Sequence, residues 1–232
     1  MKKLIKRLIT LCIVLALCVA GYFGALGYTM YVSVTREKSI EARIEEIKAS
    51  ESYTVLSDVP EIYKDAVIAV EDSRFYEHGG VDFVSLIRAV VVNVKNSELS
   101  QGGSTITQQF AKNLLFSHEQ SLSRKMAEFF ATYYIEKHYE KDEILELYMN
   151  VIYYGDGYYN IHDASLGYFG VEPKDMSDYQ ATLLAGIPNA PSVYAPTKNP
   201  ELAKKRQDKV LERMVETNVL TNDEKTKILQ ER

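Results

Sequence analysis

The segment VEDSRFYEHGGVD, residues 70–82, ends a run of mostly apolar, helical sequence with two adjacent carboxylates, Glu71 and Asp72. Asp58, followed three residues later by a second acidic residue, has the pattern of a helix start, so we predict a helix from Asp58 to Glu71. Burial and the neighbouring carboxylate would both raise the pKa of Glu71, as the task of a general base requires. A surface carboxylate at a helix end is the plainer interpretation of the same residue.

A polar, Gly-rich segment, QGGSTITQQ at residues 101–109, follows along the chain. Its two glycines interrupt regular structure, and Ser104 or Thr105 can cap a helix that continues to Phe116. Exposed backbone amides and hydroxyls at a helix N-terminus suit phosphate or sugar oxygens. The Gly-Lys-Ser/Thr sequence of a nucleotide-binding loop is missing, so a nucleotide is not the expected ligand.

A third segment, RKMAE at residues 124–128, groups cations with a carboxylate. Arg124 and Lys125 precede Glu128 by four and three residues, so all three share one helix face. Ordinary ion pairs on a helix surface, worth about 0.3–0.5 kcal/mol each, are one interpretation. The other is a cradle for a pyrophosphate, with Lys112 as the third cation and Glu128 orienting the cations or helping to bind a divalent metal.

The rest of the sequence predicts a mainly α-helical domain, because strand-like alternation is nearly absent. Asp82 can cap a helix with an unusually apolar body. Its residues alone favour a place in the core over contact with lipid, and both interpretations stay open. Residues 153–159 are predicted to form an aromatic loop. Further helices are predicted at 121–139, 141–150, 164–169, 177–185 and 200–216, with Thr221 capping a last one.

An uncharged stretch from Leu8 to Thr35 precedes all of these motifs. As a helix rising about 1.5 Å per residue it is long enough to span a bilayer. Basic residues come before it, which predicts a cytoplasmic N-terminus and an exported body. A cleaved signal peptide is the competing interpretation. We predict a basic tail at 1–7, a transmembrane anchor at 8–35, a charged stalk at 36–56 and a globular domain at 57–232.

Composition argues against several classes of function. The formal net charge is -5, which disfavours nucleic acid as a partner because such binding relies on Lys and Arg contacts with phosphate. The two cysteines, Cys12 and Cys18, lie in the apolar stretch, so the exported body has neither disulfides nor a thiol nucleophile. The histidines lack the His-Glu-Xaa-Xaa-His spacing of a zinc hydrolase.

Together these segments resemble the family-51 glycosyltransferase domain, which is the peptidoglycan transglycosylase of class A penicillin-binding proteins and of monofunctional peptidoglycan glycosyltransferases. The resemblance extends over about residues 57–214, and the order of five motifs carries it rather than any one of them. The motifs are EDSRFYEHGG at residues 71–80 with Asp82, QGGSTITQQ at 101–109 with Lys112 and Asn113, RKMAE at 124–128, EILELYMN at 143–150 with Tyr153 and Gly155, and GIPNAPS at 186–192 with Arg206, Val210 and Leu211.

This resemblance implies a lysozyme-like helical fold and the polymerisation of lipid II, an undecaprenyl-pyrophosphoryl disaccharide-pentapeptide, into β-1,4-linked glycan strands. Glu71 would be the catalytic base that deprotonates the 4-hydroxyl of the acceptor. Glu128 would be the second catalytic carboxylate and would organise the pyrophosphate site, together with a divalent cation expected to be Mg²⁺. The residues that the resemblance places around the substrate are Asp72, Phe75, His78, Gln101, Ser104, Thr105, Thr107, Gln108, Gln109, Lys112, Asn113, Arg124, Lys125, Tyr153 and Arg206.

The same resemblance implies partners and a location. The partners are lipid II, the growing glycan strand, the bilayer and other cell-wall synthesis proteins. The location is the bacterial cell membrane, crossed once, and the apolar helix after Asp82 would contact lipid. No Ser-Xaa-Xaa-Lys sequence of a penicillin-binding domain occurs, which favours a monofunctional enzyme or part of a longer one.

Three positions depart from the family pattern, and two other functions stay open. Gln120 stands where a basic residue is usual, Asn160 where Gly is usual and Gln180 where Glu is usual, which bears on donor-site affinity. One alternative is a lysozyme-like lytic enzyme that cleaves glycan, and the other is a membrane-anchored cell-wall scaffold with a decayed site. The cations argue against the lytic enzyme, because a neutral glycosidic leaving group needs no pyrophosphate cradle.

Overall fold

The fold is helical, as the sequence predicts. A computed structural model describes residues 2–88, 103–116 and 121–231, and no strand occurs in these ranges. Short 3-10 turns lie at Leu56–Asp58, Phe75–Glu77, Pro173–Asp175 and Ile187–Asn189, and residues 83–88 are also helical. The α-helices are α1 (Lys2–Glu37), α2 (Ile40–Lys48), α3 (Glu61–Glu71), α4 (Ile106–Leu115), α5 (Leu122–His138), α6 (Lys141–Met149), α7 (Ile161–Phe169), α8 (Asp178–Gly186), α9 (Pro191–Tyr194), α10 (Pro200–Glu216) and α11 (Asn222–Gln230).

Helix α1 has two parts with different surroundings. Its span Lys3–Glu37 is long and apolar enough to cross a membrane, with a mean hydropathy of 2.4 and no buried residue in its most apolar window. Its C-terminal part packs along α5, where Gly27 is buried and the Tyr28 ring lies 5.4 Å from the ring of Phe130. The helix therefore leaves a long apolar surface uncovered at one end and is attached to the domain at the other.

Helix α2 belongs to the packed part of the chain. The region 36–56 is predicted to be a stalk, but Ile40 and Ile44 are 2% and 1% exposed and join the main apolar core. Lys48 also pairs with Glu143 on α6 at 2.7 Å. These contacts join residues 36–56 to the helices that follow. The start of the globular domain at residue 57 stays a prediction.

Helix α3 lies at the centre of the domain, packed against α8 and α10. Tyr63, Ala66 and Val67 are fully buried, because apolar side chains at helical spacing turn one face of α3 into the core. Removing such a side chain costs about 2–5 kcal/mol in well-packed cores. The last residue of α3 is Glu71, so the core itself determines where this carboxylate lies.

Most predicted helix ends agree with the structure, and two do not. Thr105 caps α4, Ser121 caps α5, and the Asp82 side chain accepts from the Ser85 amide at 2.9 Å to cap residues 83–88. The predicted start of α3 is wrong, because Asp58 lies in a 3-10 turn and α3 begins at Glu61. The start predicted at residue 164 is also wrong, because α7 begins at Ile161, where Asn160 caps it.

The apolar segment after Asp82 does not enter the core where the structure describes it. Phe83, Val84, Leu86 and Ile87 are between 42% and 65% exposed. The prediction that this segment lies in the core is therefore wrong for residues 83–88. Four exposed apolar side chains in six residues form a patch of the kind that contacts lipid or another protein.

Candidate functional site

Glu71 is nearly buried at the end of α3, with its side chain 10% exposed. Its Oε2 accepts a hydrogen bond from Gln109 Nε2 at 2.7 Å. Its Oε1 has no hydrogen-bond partner in the described part of the chain and lies 3.9 Å from Nη2 of Arg206. Burial raises the pKa of Glu71, and the opposing effects of Gln109, Arg206 and Lys112 do not cancel this rise. The arrangement is that of a carboxylate ready to accept a proton.

Arg213, which sequence reasoning missed, holds the end of α3 from the neighbouring helix α10. Its Nε donates to the Ala69 carbonyl and its Nη2 to the Ser73 hydroxyl, both at 3.3 Å. These two residues stand two places before and two places after Glu71, where the last carbonyls of a helix lack partners. The signal was present in the sequence, since Arg206 and Arg213 are seven residues apart and therefore share one face of α10.

Asp72, His78 and Phe75 mainly hold the loop after α3 in place. His78 Nε2 and Asp72 Oδ1 are 2.8 Å apart, and the Ile106 amide donates to Asp72 Oδ2 at 3.1 Å. Asp72 thus ties the loop to the first residue of α4. Phe75 is fully buried, with the ammonium of Lys141 4.4 Å from its ring centroid. Of the three, Asp72 lines one of the two cavities described below.

The polar residues at the start of α4 divide between the fold and the site. Thr105 and Gln108 form a reciprocal capping box, and Thr105 also donates to the Gly80 carbonyl at 2.6 Å. Thr107 is fully buried and hydrogen-bonds Glu136 on α5, away from both cavities. Gln109 is the residue of this group that contacts Glu71.

Three cations gather around one carboxylate beside Glu71. We call Lys112, Arg124, Lys125 and Glu128 the cation cradle. Glu128 is 1% exposed and pairs with Arg124 and, at 3.0 Å, with Lys125. The ammonium of Lys125 also donates to the Ser104 hydroxyl at 3.0 Å. Burial lowers the pKa of Lys112, although Glu128 opposes this. An anion that approached this half-buried ammonium would therefore stabilise its charged form.

Two adjoining cavities meet at Glu71. The first has a volume of about 280 Å³ and the second about 250 Å³. Both are lined by Val70, Glu71, Ser104 and Asn189. The first also includes Asp72, Asp82, Arg88, Thr105, Arg206, Lys209, Arg213 and Glu216, and the second includes Gln108, Gln109, Lys112, Lys125, Glu128 and Pro188.

Some predicted site residues lie elsewhere. Asn113 lines a separate cavity beside α2, and its Nδ2 has no partner among the described residues. The Tyr153 ring is tilted against that of Tyr159, with centroids 4.7 Å apart, and Tyr153 lines neither of the two cavities. Gln101 and Gln120 lie outside the described residues.

Two of the departures from the family pattern are helix caps. Asn160 accepts from the Asp163 amide at 2.7 Å and caps α7. Gln180 accepts from the Ser177 amide at 2.9 Å in the capping box of α8. Neither residue lines the first or the second cavity, so these substitutions act on helix ends.

The cradle does not suit a metal ion. Mg²⁺ is usually held by one or two carboxylates together with substrate phosphates. Both oxygens of Glu128 already face cations, which would repel a further positive charge. Among the described residues, Asp72, His78 and Asp82 have ligand atoms within 4.8 Å of one another. These atoms are already engaged, since Asp82 also pairs with Arg74.

Comparisons with known proteins show which sequences this chain is similar to. Penicillin-binding protein 1A of Neisseria flavescens is 46% identical over 179 residues, which cover 77% of this chain and 22% of that protein. Penicillin-binding protein 1A of Neisseria cinerea is 37% identical, covering 98% of this chain and 31% of the relative. Penicillin-binding protein 1A/1B of Bacillus subtilis is 40% identical, covering 86% and 22%.

A solved structure is also similar. The 2.6 Å crystal structure of penicillin-binding protein 1A from Haemophilus influenzae has 23% sequence identity and a TM-score of 0.47, and the match covers 78% of this chain and 17% of that one. The chain therefore spans less than a third of the length of each of these relatives. Residues 37–215 match the transglycosylase family, and because this match extends over most of the sequence, the chain belongs to that family.

Proposed function

We propose that this transglycosylase is a membrane-anchored peptidoglycan glycosyltransferase that polymerises lipid II into β-1,4-linked strands. The observation that carries the proposal is the position of Glu71, a nearly buried carboxylate on the boundary between two cavities, one of which is lined by Lys112, Lys125 and Glu128 of the cation cradle. Glycosyl transfer needs both a base for the attacking hydroxyl and a site that stabilises the leaving group.

In the proposed reaction, the second cavity holds the donor and the first holds the acceptor sugar. Glu71 takes the proton of the acceptor's 4-hydroxyl as that oxygen attacks the anomeric carbon of the donor. The bond from this carbon to the pyrophosphate oxygen breaks, its electron pair leaves with undecaprenyl pyrophosphate, and the configuration inverts. The pKa rise of Glu71 supports this role, because a base accepts a proton more readily as its pKa approaches the working pH.

The cation cradle supports the choice of leaving group. Arg124 and Lys125 share the single carboxylate of Glu128, and Lys112 lines the same cavity as Lys125, so positive charge remains for an entering pyrophosphate. Fixed charges of this kind stabilise a developing anion without having to reorganise. A glycan-cleaving enzyme has a neutral leaving group, for which such a cluster offers no advantage.

The apolar surfaces support a position at the membrane. Helix α1 provides the anchor, and the exposed segment 83–88 lies on the chain directly after Asp82, which lines the first cavity. A substrate carried on a lipid would then reach Glu71 without leaving the bilayer. The cytoplasmic orientation of the N-terminus, the cell-wall partners and the Mg²⁺ stay predictions, and no step of the proposed reaction uses a metal.

The test is an assay of the full chain in detergent with labelled lipid II. Wild-type protein should form polymer, and Glu71→Gln should slow polymerisation by about 1,000-fold, since a positioned base contributes roughly 10²–10⁴. Glu61→Gln is the matched control, because this carboxylate is at the other end of α3 and 84% exposed. The control should polymerise at the wild-type rate.

Two results would contradict the proposal. Release of soluble muropeptides from cell walls, with no polymer from lipid II, would identify a lytic enzyme. Strand synthesis at the wild-type rate by Glu71→Gln would show that Glu71 is not the base.

A further inference from the structure

The anchor helix α1 touches α5 backbone to backbone at Gly27. A Cβ atom added at Gly27 would lie 2.9 Å from both the amide nitrogen of Ala127 and the carbonyl carbon of Met126, and closer still to the Cβ of Met126. Carbon atoms in contact normally lie about 3.5–4.0 Å apart. Any side chain larger than hydrogen at residue 27 would therefore force the two helices to separate.

The residues that meet Gly27 are part of the turn that forms the cation cradle. Met126 and Ala127 stand between Lys125 and Glu128 in sequence, and Ala127 and Glu128 are 0% and 1% exposed. Glu128 in turn holds Arg124 and Lys125. A displacement of this turn would move all three charged side chains together.

The opposite side of α5 is also closely packed. Gly80, at a φ of +89°, faces α5 so closely that a Cβ there would lie 2.8 Å from Thr132 Cγ2 and 2.9 Å from Glu136 Cγ. Glu136 also holds Thr107 of α4. Helix α5 is therefore packed between α1 on one side and the Gly80 loop with α4 on the other.

The same contact continues along both helices. Phe130 meets the rings of Tyr28 and Tyr31 at 5.4 and 6.2 Å, and the Tyr134 hydroxyl donates to Glu41 just beyond α1. Gly27 thus lies at one end of an extended packed seam. Gly21 and Gly24 are on the same helix, but a Cβ at either would meet nothing within 4 Å.

We propose that Gly27 is a positioning residue for the pyrophosphate site: the anchor helix, packed at Gly27, determines where the cation cradle lies relative to Glu71. The anchor is then a structural part of the site as well as its attachment to the membrane. The effect on a pyrophosphate site rests on the proposed function, whereas the packing of α1 against α5 at Gly27 does not.

The experiment compares Gly27→Ala with Gly21→Ala and Gly24→Ala in the full chain, purified in detergent so that attachment to a membrane plays no role. All three changes add one methyl group and favour the helix equally. Hydrogen–deuterium exchange measures the protection of the α5 amides. The affinity for a fluorescent geranyl pyrophosphate reports whether the cation cradle is intact. Exchange in α10, which lies away from the seam, reports whether each variant is folded.

Gly27→Ala should speed exchange in residues 122–131 and weaken geranyl pyrophosphate binding by about tenfold, within the roughly 100-fold that a displacement of 1 Å can cost. Gly27→Val should do more, and the two control variants should match wild type. Wild-type exchange and binding in Gly27→Ala would overturn the proposal, because α1 would then have moved instead of α5. Equal losses in all three variants would also overturn it.

Failure of the proposed function would look different. If wild-type protein neither bound geranyl pyrophosphate nor polymerised lipid II, the assigned reaction would be wrong. The exchange comparison would still decide whether Gly27 positions α5.

Discussion

The two cavities beside Glu71 both carry basic side chains, but they hold them differently. Of the basic residues that line the first cavity, Lys209 pairs with Glu212 at 2.7 Å and Arg213 with Glu216 at 2.9 Å, so each has a carboxylate of its own. Beside the second, Lys125 and Arg124 share the one carboxylate of Glu128, and Lys112 lines the same cavity as Lys125. A site with paired charges suits a sugar hydroxyl, whereas a site with excess positive charge suits a leaving pyrophosphate. In the reaction proposed above, this difference would place the donor on one side of Glu71 and the acceptor on the other.

The largest effect that would sharpen this contrast is expected from Lys112→Met. Removing a cation that faces developing charge should lower the polymerisation rate by about 100-fold. Lys209→Met in the first cavity should change it by about threefold at most, because Lys209 is 68% exposed and such exposed pairs contribute about 0–1 kcal/mol. Initial rates with labelled lipid II provide the measurement. Equal losses in the two variants would mean that the cavities do not differ in this way.

A second prediction concerns Arg206, which lies on the first-cavity side of Glu71. Its charge lowers the pKa of Glu71 against the larger rise caused by burial. Arg206→Met should therefore raise that pKa further and move the acid limb of the rate–pH profile to higher pH. Much of the rate lost at neutral pH should return as the pH increases. Gln109→Leu should shift the limb in the same direction, since its hydrogen bond also lowers the pKa. An unmoved limb in both variants would show that another group titrates.

A smaller effect is expected from Arg213, which holds the end of α3 instead of facing the substrate. Arg213→Met should lower the maximal rate about fivefold and the stability by about 1 kcal/mol, since a hydrogen bond contributes roughly that much. The Michaelis constant should change less than the maximal rate, because Glu71 is displaced while the cradle is intact. Steady-state kinetics and urea unfolding test this, with Arg213→Lys as the conservative variant. A change confined to the Michaelis constant would instead place Arg213 in substrate binding.

The smallest effect is a gain in stability for Glu71→Gln. The pKa of Glu71 is raised in the folded protein, so its protonated form is favoured there, and this contribution is lost as the pH rises through the folded pKa. A neutral Gln avoids that loss, so the variant should melt a few degrees higher than wild type at pH 7 to 8. The gain should disappear below about pH 4, where Glu is neutral in both states. Thermal melts across this range test it, and lower stability at pH 7 would contradict the burial cost assigned to Glu71.

Contacts between residues close in sequence could be predicted better than contacts between separate helices. The caps at Thr105 and Ser121 depend on neighbours three residues away, so their motifs identify them. Thr107 is part of the same polar motif, yet its partner Glu136 is on another helix, and only the fold shows that it points away from the cavities. The stalk prediction has the same weakness, because the spacing of Ile40 and Ile44 indicates a helix but does not identify what covers it.

The part of the site that could be predicted is the part whose residues lie on one helix. Arg124, Lys125 and Glu128 share a turn, so their spacing alone brought them together. Arg213 could not be assigned in the same way, since its partners Ala69 and Ser73 are more than a hundred residues away in sequence. The close contact of Gly27 with Met126 was equally hidden, because a glycine in an apolar helix has no signal that identifies the neighbouring backbone.

The most direct test separates binding from coupling in Glu71→Gln. Binding of short-chain lipid II is measured by fluorescence, and single-turnover coupling is measured in the same preparation. If Glu71 is the base between a donor and an acceptor cavity, the variant should bind within about threefold of wild type, since amide and carboxylate have the same shape, while coupling falls about 1,000-fold. Loss of binding in proportion to coupling, or coupling at the wild-type rate, would contradict the role of Glu71.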